Sequence, residues 1–157
     1  MPIDAARFKQ AMAQFVSGVT VVTTELEGEL YGMTVASFAS LSLDPPLVLV
    51  CAGRNMQTHN AIAAARRFGV SILGNDQQEL SGRFASKLDD KFAGVDYRPG
   101  SNGVPLLNGA ICTIECTLFN QLDGGDHSIF VGQVEDVQTS GEGAPLVYFR
   151  SGYRELA

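Results

Sequence analysis

Basic residues, histidine and cysteine are all scarce in this chain, and each scarcity removes a class of function. Eleven Lys+Arg stand against 17 Asp+Glu, a formal net charge of −6, and charged residues make up only 18% of the sequence. No basic stripe exists to follow a nucleic-acid backbone or an anionic membrane surface, so neither is an expected partner. Two histidines and three cysteines show no ligand-spaced pair, so no metal site is expected. Cys51, Cys112 and Cys116 are too few and too unevenly placed for a disulfide framework. On one strand face Cys112 and Cys116 would stand roughly 13 Å apart, beyond disulfide reach. That cysteine usage fits a reducing cytoplasm. Asp4, Arg7 and Lys9 give the opening residues an amphipathic pattern rather than that of a leader peptide, and no apolar run reaches the ~18 residues of a membrane span. A soluble, cytoplasmic protein is expected. Neither GxGxxG nor GxxxxGK[ST] occurs, so a nucleotide must be held by something other than a Rossmann turn or a P-loop.

What remains is a chain of 157 residues, 45% hydrophobic, enough for a single domain, residues 1–157, that buries roughly two thirds of its unfolded surface. Asp4 is placed to cap a helix whose apolar residues Phe8, Ala11, Met12, Phe15 and Val16 share one face, with Gly18 ending it. Residues 19–26, rich in β-branched side chains, read as a strand. Glu27-Gly28-Glu29 turns the chain into a second strand from about Leu30. Residues 47–52 read as a strand buried on both faces, 58–67 as a short helix and 68–73 as another strand. Residues 76–92 read as a helix in two pieces, weakened at Gly82 and Ser86. Residues 94–109 read as a surface loop with at most one short strand. Three long strands are predicted over 110–121, 128–138 and 145–149. Six or seven strands joined by short turns point to an antiparallel sheet closing into a barrel.

Between Gly32 and Cys51 the chain reads GMTVASFASLSLDPPLVLVC. Thr34, Ser37, Ser40 and Ser42 stand among small residues before Asp44-Pro45-Pro46 breaks the ladder. Small residues let backbone amides approach a ligand, and hydroxyls donate to a phosphate or a polar heterocycle. A flat, polar-edged cofactor is expected here; the alternative is an edge strand with solvent-facing hydroxyls. At the far end of the buried strand, Arg54-Asn55-Met56-Gln57-Thr58 leads into a helix. Amides at that helix start, with the Arg54 and Thr58 side chains, suit a phosphate. His127 follows Gly124-Gly125-Asp126, so its ring stands either at the barrel mouth or in solvent. Asp126 is not expected to pair with it, because neighbours on a strand point to opposite faces. His59 carries no assigned role. The cysteines lie on apolar strands and read as packing groups. With no nucleophile beside a base and no metal site, an enzyme built this way takes its chemistry from a bound organic cofactor. Arg83-Phe84 offers a cation and a ring to a ligand, or is an exposed arginine beside a core phenylalanine. Tyr148, Tyr153 and Arg154 either close over a site or a partner subunit, or form an edge strand and tail.

FKQAMAQFVSGVTVVTT, the Gly32–Cys51 block, RFASKLDDKFAG, Gly125-Asp126-His127 and the closing PLVYFRSGYREL span nearly the whole chain. Taken together and in this order, they resemble the flavin reductases of two-component flavin-dependent monooxygenases. The resemblance implies a mainly β (α+β) fold, an antiparallel split β-barrel of FMN-binding type with flanking helices. It implies FMN or FAD as cofactor, NADH or NADPH as co-substrate, hydride transfer, and reduced flavin delivered to a separate monooxygenase component. It also implies a homodimer. Carried over position by position, it implies ring and ribityl contacts from Thr34, Ala36, Ser37 and Ser40, with Cys51 also in the flavin site. Phosphate contacts are implied for Ala52, Arg54, Asn55 and Thr58, and a nicotinamide-nucleotide contact for His127. Phe84 matches a position near the flavin and Tyr153 one near the dinucleotide. The chain departs from the family at Val35-Ala36, where Ala then Asn or Ser is common, and at Asn55-Met56, where serines are frequent. A flavin-binding module without turnover is the alternative reading. A haem-binding relative is a third, and only His59 and His127 could serve it as axial ligands.

Overall fold

The computed structural model describes residues 2–157. Asp4 caps α1 (Ala5–Met12), its carboxylate accepting from the Arg7 amide at 2.9 Å. The helix ends at Ala13, short of the predicted stop at Gly18, and none of its residues is buried. Phe15 and Val16 therefore lie beyond it, exposed. After β1 (Ser17–Gly18), β2 (Thr20–Leu26) and β3 (Glu29–Val35) form a hairpin. Its two-residue turn, Glu27-Gly28, has both φ values positive (53° and 85°), the twist that suits a tight hairpin. Thr34 lies on β3, Ser37 in the link, and Ser40 and Ser42 on β4 (Phe38–Ser42). The Asp44-Pro45-Pro46 break separates it from β5 (Leu47–Gly53), and α2 (Gln57–Ala65) follows. Arg66, left-handed at φ 60°, ends α2 and sends the chain into β6 (Arg67–Ile72).

The region 76–92 is not a two-piece helix. Only α3 (Gln78–Ala85) forms; Ser86 is extended. The residues beyond wrap around Arg83, whose guanidinium donates to the carbonyls of Lys91 (2.6 Å), Asp90 (3.1 Å) and Ala93 (2.9 Å). Arg83 is thus spent on the chain's own backbone. The region 94–109 is also not a surface loop. It folds as the short antiparallel pair β7 (Tyr97–Pro99) and β8 (Pro105–Leu107), with Val104, Leu106 and Leu107 buried. Its glycine, proline and asparagine content signalled turns correctly, while the apolar VPLL segment supplied burial that composition obscured.

The strands β9 (Cys112–Gly124) and β10 (His127–Thr139) form the longest hairpin, and β11 (Val147–Phe149) is shorter than predicted, returning through β12 (Gly152–Arg154). Seven strands make one antiparallel sheet in the order β3-β2-β6-β9-β10-β5-β4, and β1, β11 and β12 make a smaller one. β2 is buried on both faces. Val22 joins Val50, Phe68, Val70 and Phe130, whereas Val21 joins Leu73, Phe84, Phe92 and Leu107. Its buried threonines are satisfied in place: Thr20 donates to the Val35 carbonyl, Thr23 to Pro105 and Thr24 to Arg67, at 2.5–2.7 Å. Bare backbone at Gly32 admits the Phe84 ring beneath β3, since a Cβ there would lie 2.8 Å from it.

Candidate functional site

Strand alternation decides which part of the Gly32–Cys51 block faces a ligand. On β5, Val48, Val50 and Ala52 turn inward to the core, while Leu49 and Cys51 turn outward. They line a groove of about 570 Å³ with Phe15 to Thr20, Ala36 to Ala39 and Ile72. Its wall is mostly apolar. Ser37 is sewn to Cys51 twice, its carbonyl accepting from the Cys51 amide at 3.1 Å and its hydroxyl donating to the Cys51 carbonyl at 3.3 Å. Ala36, Ser37 and Cys51 therefore share one groove. Ser40 does not join them, because it lies on the face of β4 opposite Ala39. Thr34 lines neither groove; its hydroxyl is turned to α3, where it donates to the Ser81 carbonyl at 2.6 Å. The Ser81 hydroxyl meets Tyr153 Oη, also at 2.6 Å. Tyr153 is thereby tied to α3 and stacks edge-on against Tyr148.

A second groove of about 310 Å³ opens beside the first turn of α2. Asn55, Met56, Gln57 and Thr58 line one wall, Leu30 to Gly32 another, and Ser86 to Asp89 with Lys91 a third. Met56 stands at the N-cap and offers no side-chain acceptor. The amides of the first turn are left free of a built-in cap, the arrangement that receives an anion at a helix start. Lys87 brings positive charge to the same groove. Lys91 donates to the Gly32 and Phe84 carbonyls at 3.2 and 3.1 Å, and burial holds its ammonium below the ordinary lysine range. Lys87 and Lys91 went unassigned in the sequence because the segment read as the second piece of a helix; the signal for Lys87 was the RFASK fragment.

Three of the expected contact residues, Phe84, Ala52 and Arg54, keep their side chains out of the groove at the α2 start. The Phe84 ring is fully buried and lines neither groove; its carbonyl accepts from a groove residue, Lys91. Ala52 likewise turns its methyl into the core. Arg54, unlike the four residues that follow it, does not line the groove at the α2 start. Its Nη2 pairs with Asp123 and its Nε donates to the His127 carbonyl at 3.3 Å. Asp126 does pair with His127. The two meet at 2.8 Å through Nδ1 and Oδ1, because Asp126 sits in the turn after Gly125 (φ 71°) rather than on the strand. The bond to the imidazole, and then its charge, hold the Asp126 carboxyl below its usual value. With Nδ1 so engaged, Nε2 of His127 is the free nitrogen, and it faces Gly53, where a Cβ would stand 3.9 Å away.

His59 is buried against Phe130, with Nε2 bonded to Ser128 at 2.8 Å and Nδ1 to Asn60 at 3.1 Å. Neither nitrogen is left for an axial bond, which removes it as a haem ligand. Cys116 is fully buried. Burial, reinforced by Glu135 and Glu115, pushes its thiol up to about 12, as suits a packing group. Among the described residues no three His, Cys, Asp or Glu side chains cluster as a metal site, and no helix is long and apolar enough to cross a membrane.

Fold and site together define a class: an antiparallel β-sheet protein with a mostly apolar groove along β5 and a polar groove at the start of α2. Residues 12–157 match the flavin reductase like domain, and the chain belongs to that family. It is 40% identical over 153 residues to the flavin-dependent monooxygenase reductase subunit HsaB of Mycobacterium tuberculosis, covering 96% of this chain and 82% of that protein. Nitrilotriacetate monooxygenase component B from Mycobacterium thermoresistibile superposes with a TM-score of 0.94 at 42% identity, over 97% of this chain and 86% of that one. The Streptomyces globisporus NADH:FAD oxidoreductase SgcE6, in complex with NAD and FAD fragments, gives 0.94 at 35% identity, over 98% and 93%.

Proposed function

We propose that this chain, as one flavin-reductase-like domain over residues 1–157, is the reductase component of a two-component flavin-dependent monooxygenase system. It oxidises NADH or NADPH, reduces FMN or FAD, and supplies the reduced flavin to a separate oxygenase. The observation that carries the reading is the stretch from Cys51 to Asn55. Cys51 faces the apolar groove, Asn55 faces the groove at the start of α2, and the ring of His127 lies over Gly53 between them.

Bound flavin supplies the hydride-accepting ring and the nicotinamide nucleotide the hydride. The chain's own work is orientation. Ala36, Ser37 and Cys51 line the ring, with Thr34 bracing the edge through Ser81. The first-turn amides of α2, Asn55, Thr58 and Lys87 hold the phosphate, and Ala52 contributes backbone alone. His127 contacts the nucleotide through Nε2, and Tyr153 closes the site from β12. Burying about 200 Å² of ring contributes on the order of 5 kcal/mol before the entropy of binding is subtracted, so flavin exchanges readily. Closure of the seven-stranded sheet into a split barrel is supported by the approach of β3 to β5. A homodimer is supported by α1, an eight-residue helix with no buried residue, which needs a second surface to hold its apolar side. The three cysteines are free, as in a reducing compartment.

The test is anaerobic: excess FMN or FAD is mixed with NADH or NADPH and a catalytic amount of protein, and the visible absorbance of oxidised flavin is followed. Protein-dependent bleaching over many turnovers supports the reading. Flavin binding without bleaching would leave a binding module, and no flavin affinity at all would sink both.

A further inference from the structure

Resting on that reading of His127, we propose that Arg54 is a positioning residue for the nucleotide side of the site, and not a ligand of the flavin phosphate. Arg54 sits within a run whose next four residues line the groove at the α2 start, yet its own side chain leaves that groove for the β9–β10 hairpin. Three bonds join it to that hairpin. Its amide donates to the Asp126 carbonyl at 3.0 Å, its Nε donates to the His127 carbonyl at 3.3 Å, and its Nη2 pairs with the Asp123 carboxylate.

The consequence is geometric. His127 opens β10 directly after the turn, its backbone paired with Gly53 and Gly124 at the very end of the ladder. Asp126 orients the imidazole from one side, and Arg54 fixes the carbonyl of the same residue from the other. One residue further along, Ser128 is anchored to α2 through His59. The turn that receives the phosphate and the hairpin that carries His127 are thus bolted together at residues 54 and 59. Arg54 is the exposed bolt, with its side chain 44% accessible and that of Asp123 88%. Exposed pairs are individually weak, so the effect of losing it is modest. It falls on the placement of His127, because two of the three guanidinium nitrogens are already committed away from the groove.

Arg54→Ala, Arg54→Lys, Asp123→Asn and His127→Ala are compared with the parent chain for three quantities: KM for NADH, kcat at saturating NADH, and flavin dissociation constant by fluorescence quenching. Arg54→Ala is expected to raise KM for NADH about 3- to 5-fold, with kcat within about 2-fold and flavin affinity unchanged. Arg54→Lys restores part of the loss, since an ammonium reaches one of the two acceptors. Asp123→Asn, on the exposed turn, moves KM in the same direction by a smaller factor and covers the case in which Arg54→Ala misfolds. Weakened flavin binding with KM for NADH unchanged would overturn the proposal and return Arg54 to the phosphate. If His127→Ala leaves KM for NADH unchanged, the reading of His127 itself falls, whatever Arg54 does. If His127→Ala raises KM and neither Arg54→Ala nor Asp123→Asn does, only the proposal about Arg54 falls.

Discussion

His127 and Cys116 show how position in the fold, rather than residue type, assigns a side chain its task. His127 keeps one nitrogen on Asp126 and leaves the other free over Gly53, and in the proposed function hydride transfer asks no proton of it. Replacing it by alanine is expected to raise KM for NADH about 10-fold, with kcat at saturation largely kept; a collapse of kcat with KM unchanged would contradict the contact role. Cys116 instead has its thiol pushed up to about 12 by burial. Between the ordinary thiol value of 9.0 and that value the unfolded chain has lost the proton while the folded chain keeps it, so stability falls as pH rises through the window. Urea midpoints at rising alkaline pH should show this decline in the parent chain and a shallower one in Cys116→Ala. The same burial predicts that iodoacetamide spares Cys116 in the folded protein, whereas Cys51, in the apolar groove, is alkylated and is protected by added flavin.

At the scale of elements, two features depend on what the chain packs against. The β9–β10 hairpin shifts register at Val131/Gly132, and a Cβ at Gly132 would stand 2.5 Å from the Phe68 ring and under 3 Å from Cys116. Gly132→Ala is therefore expected to cost about 1–3 kcal/mol, read as a lower denaturant midpoint with unchanged slope. α1 poses the opposite problem. Phe8 and Met12 are each 54% exposed, and Phe15 just beyond the helix is 80% exposed, so an apolar side faces outward, uncovered by the described residues. Phe15→Asp is expected to shift the protein from dimer to monomer in sedimentation velocity; a monomeric parent chain would remove the dimer from the proposal.

For the whole molecule, the central expectation is coupling between ligand and stability. A flavin that binds only the folded chain stabilises it by about 2.7 kcal/mol at a hundred times its dissociation constant, worth roughly 5–10 °C in melting temperature at this chain length. Thermal scans against FMN and FAD should show that rise, and the flavin giving the larger shift at equal concentration is the preferred one. Most of the architecture was legible before any coordinates. The β2–β3 hairpin, the buried β5 strand and the long β9–β10 pair followed from alternation, β-branching and turn residues, all of which act over a few neighbours. The misses were non-local. The segment after Ser86 is shaped by Arg83 gathering three carbonyls, and the Val104–Leu107 stretch is buried because β2 and β6 lie over it.

By itself, the order of residues determined a mainly β chain of net acidic charge, a small-residue edge beside a buried strand, and a polar turn opening a helix. Each of these is a property of adjacent residues and their periodicity. Only the tertiary structure decided which side chains of those segments reach the grooves. It withdrew Phe84, Ala52 and Ser40, turned Arg54 to the hairpin, brought in Lys87 and Lys91, and joined Asp126 to His127. The physical reason is that strand pairing and turn geometry set the direction of each Cα–Cβ bond, and those directions depend on partners far along the chain.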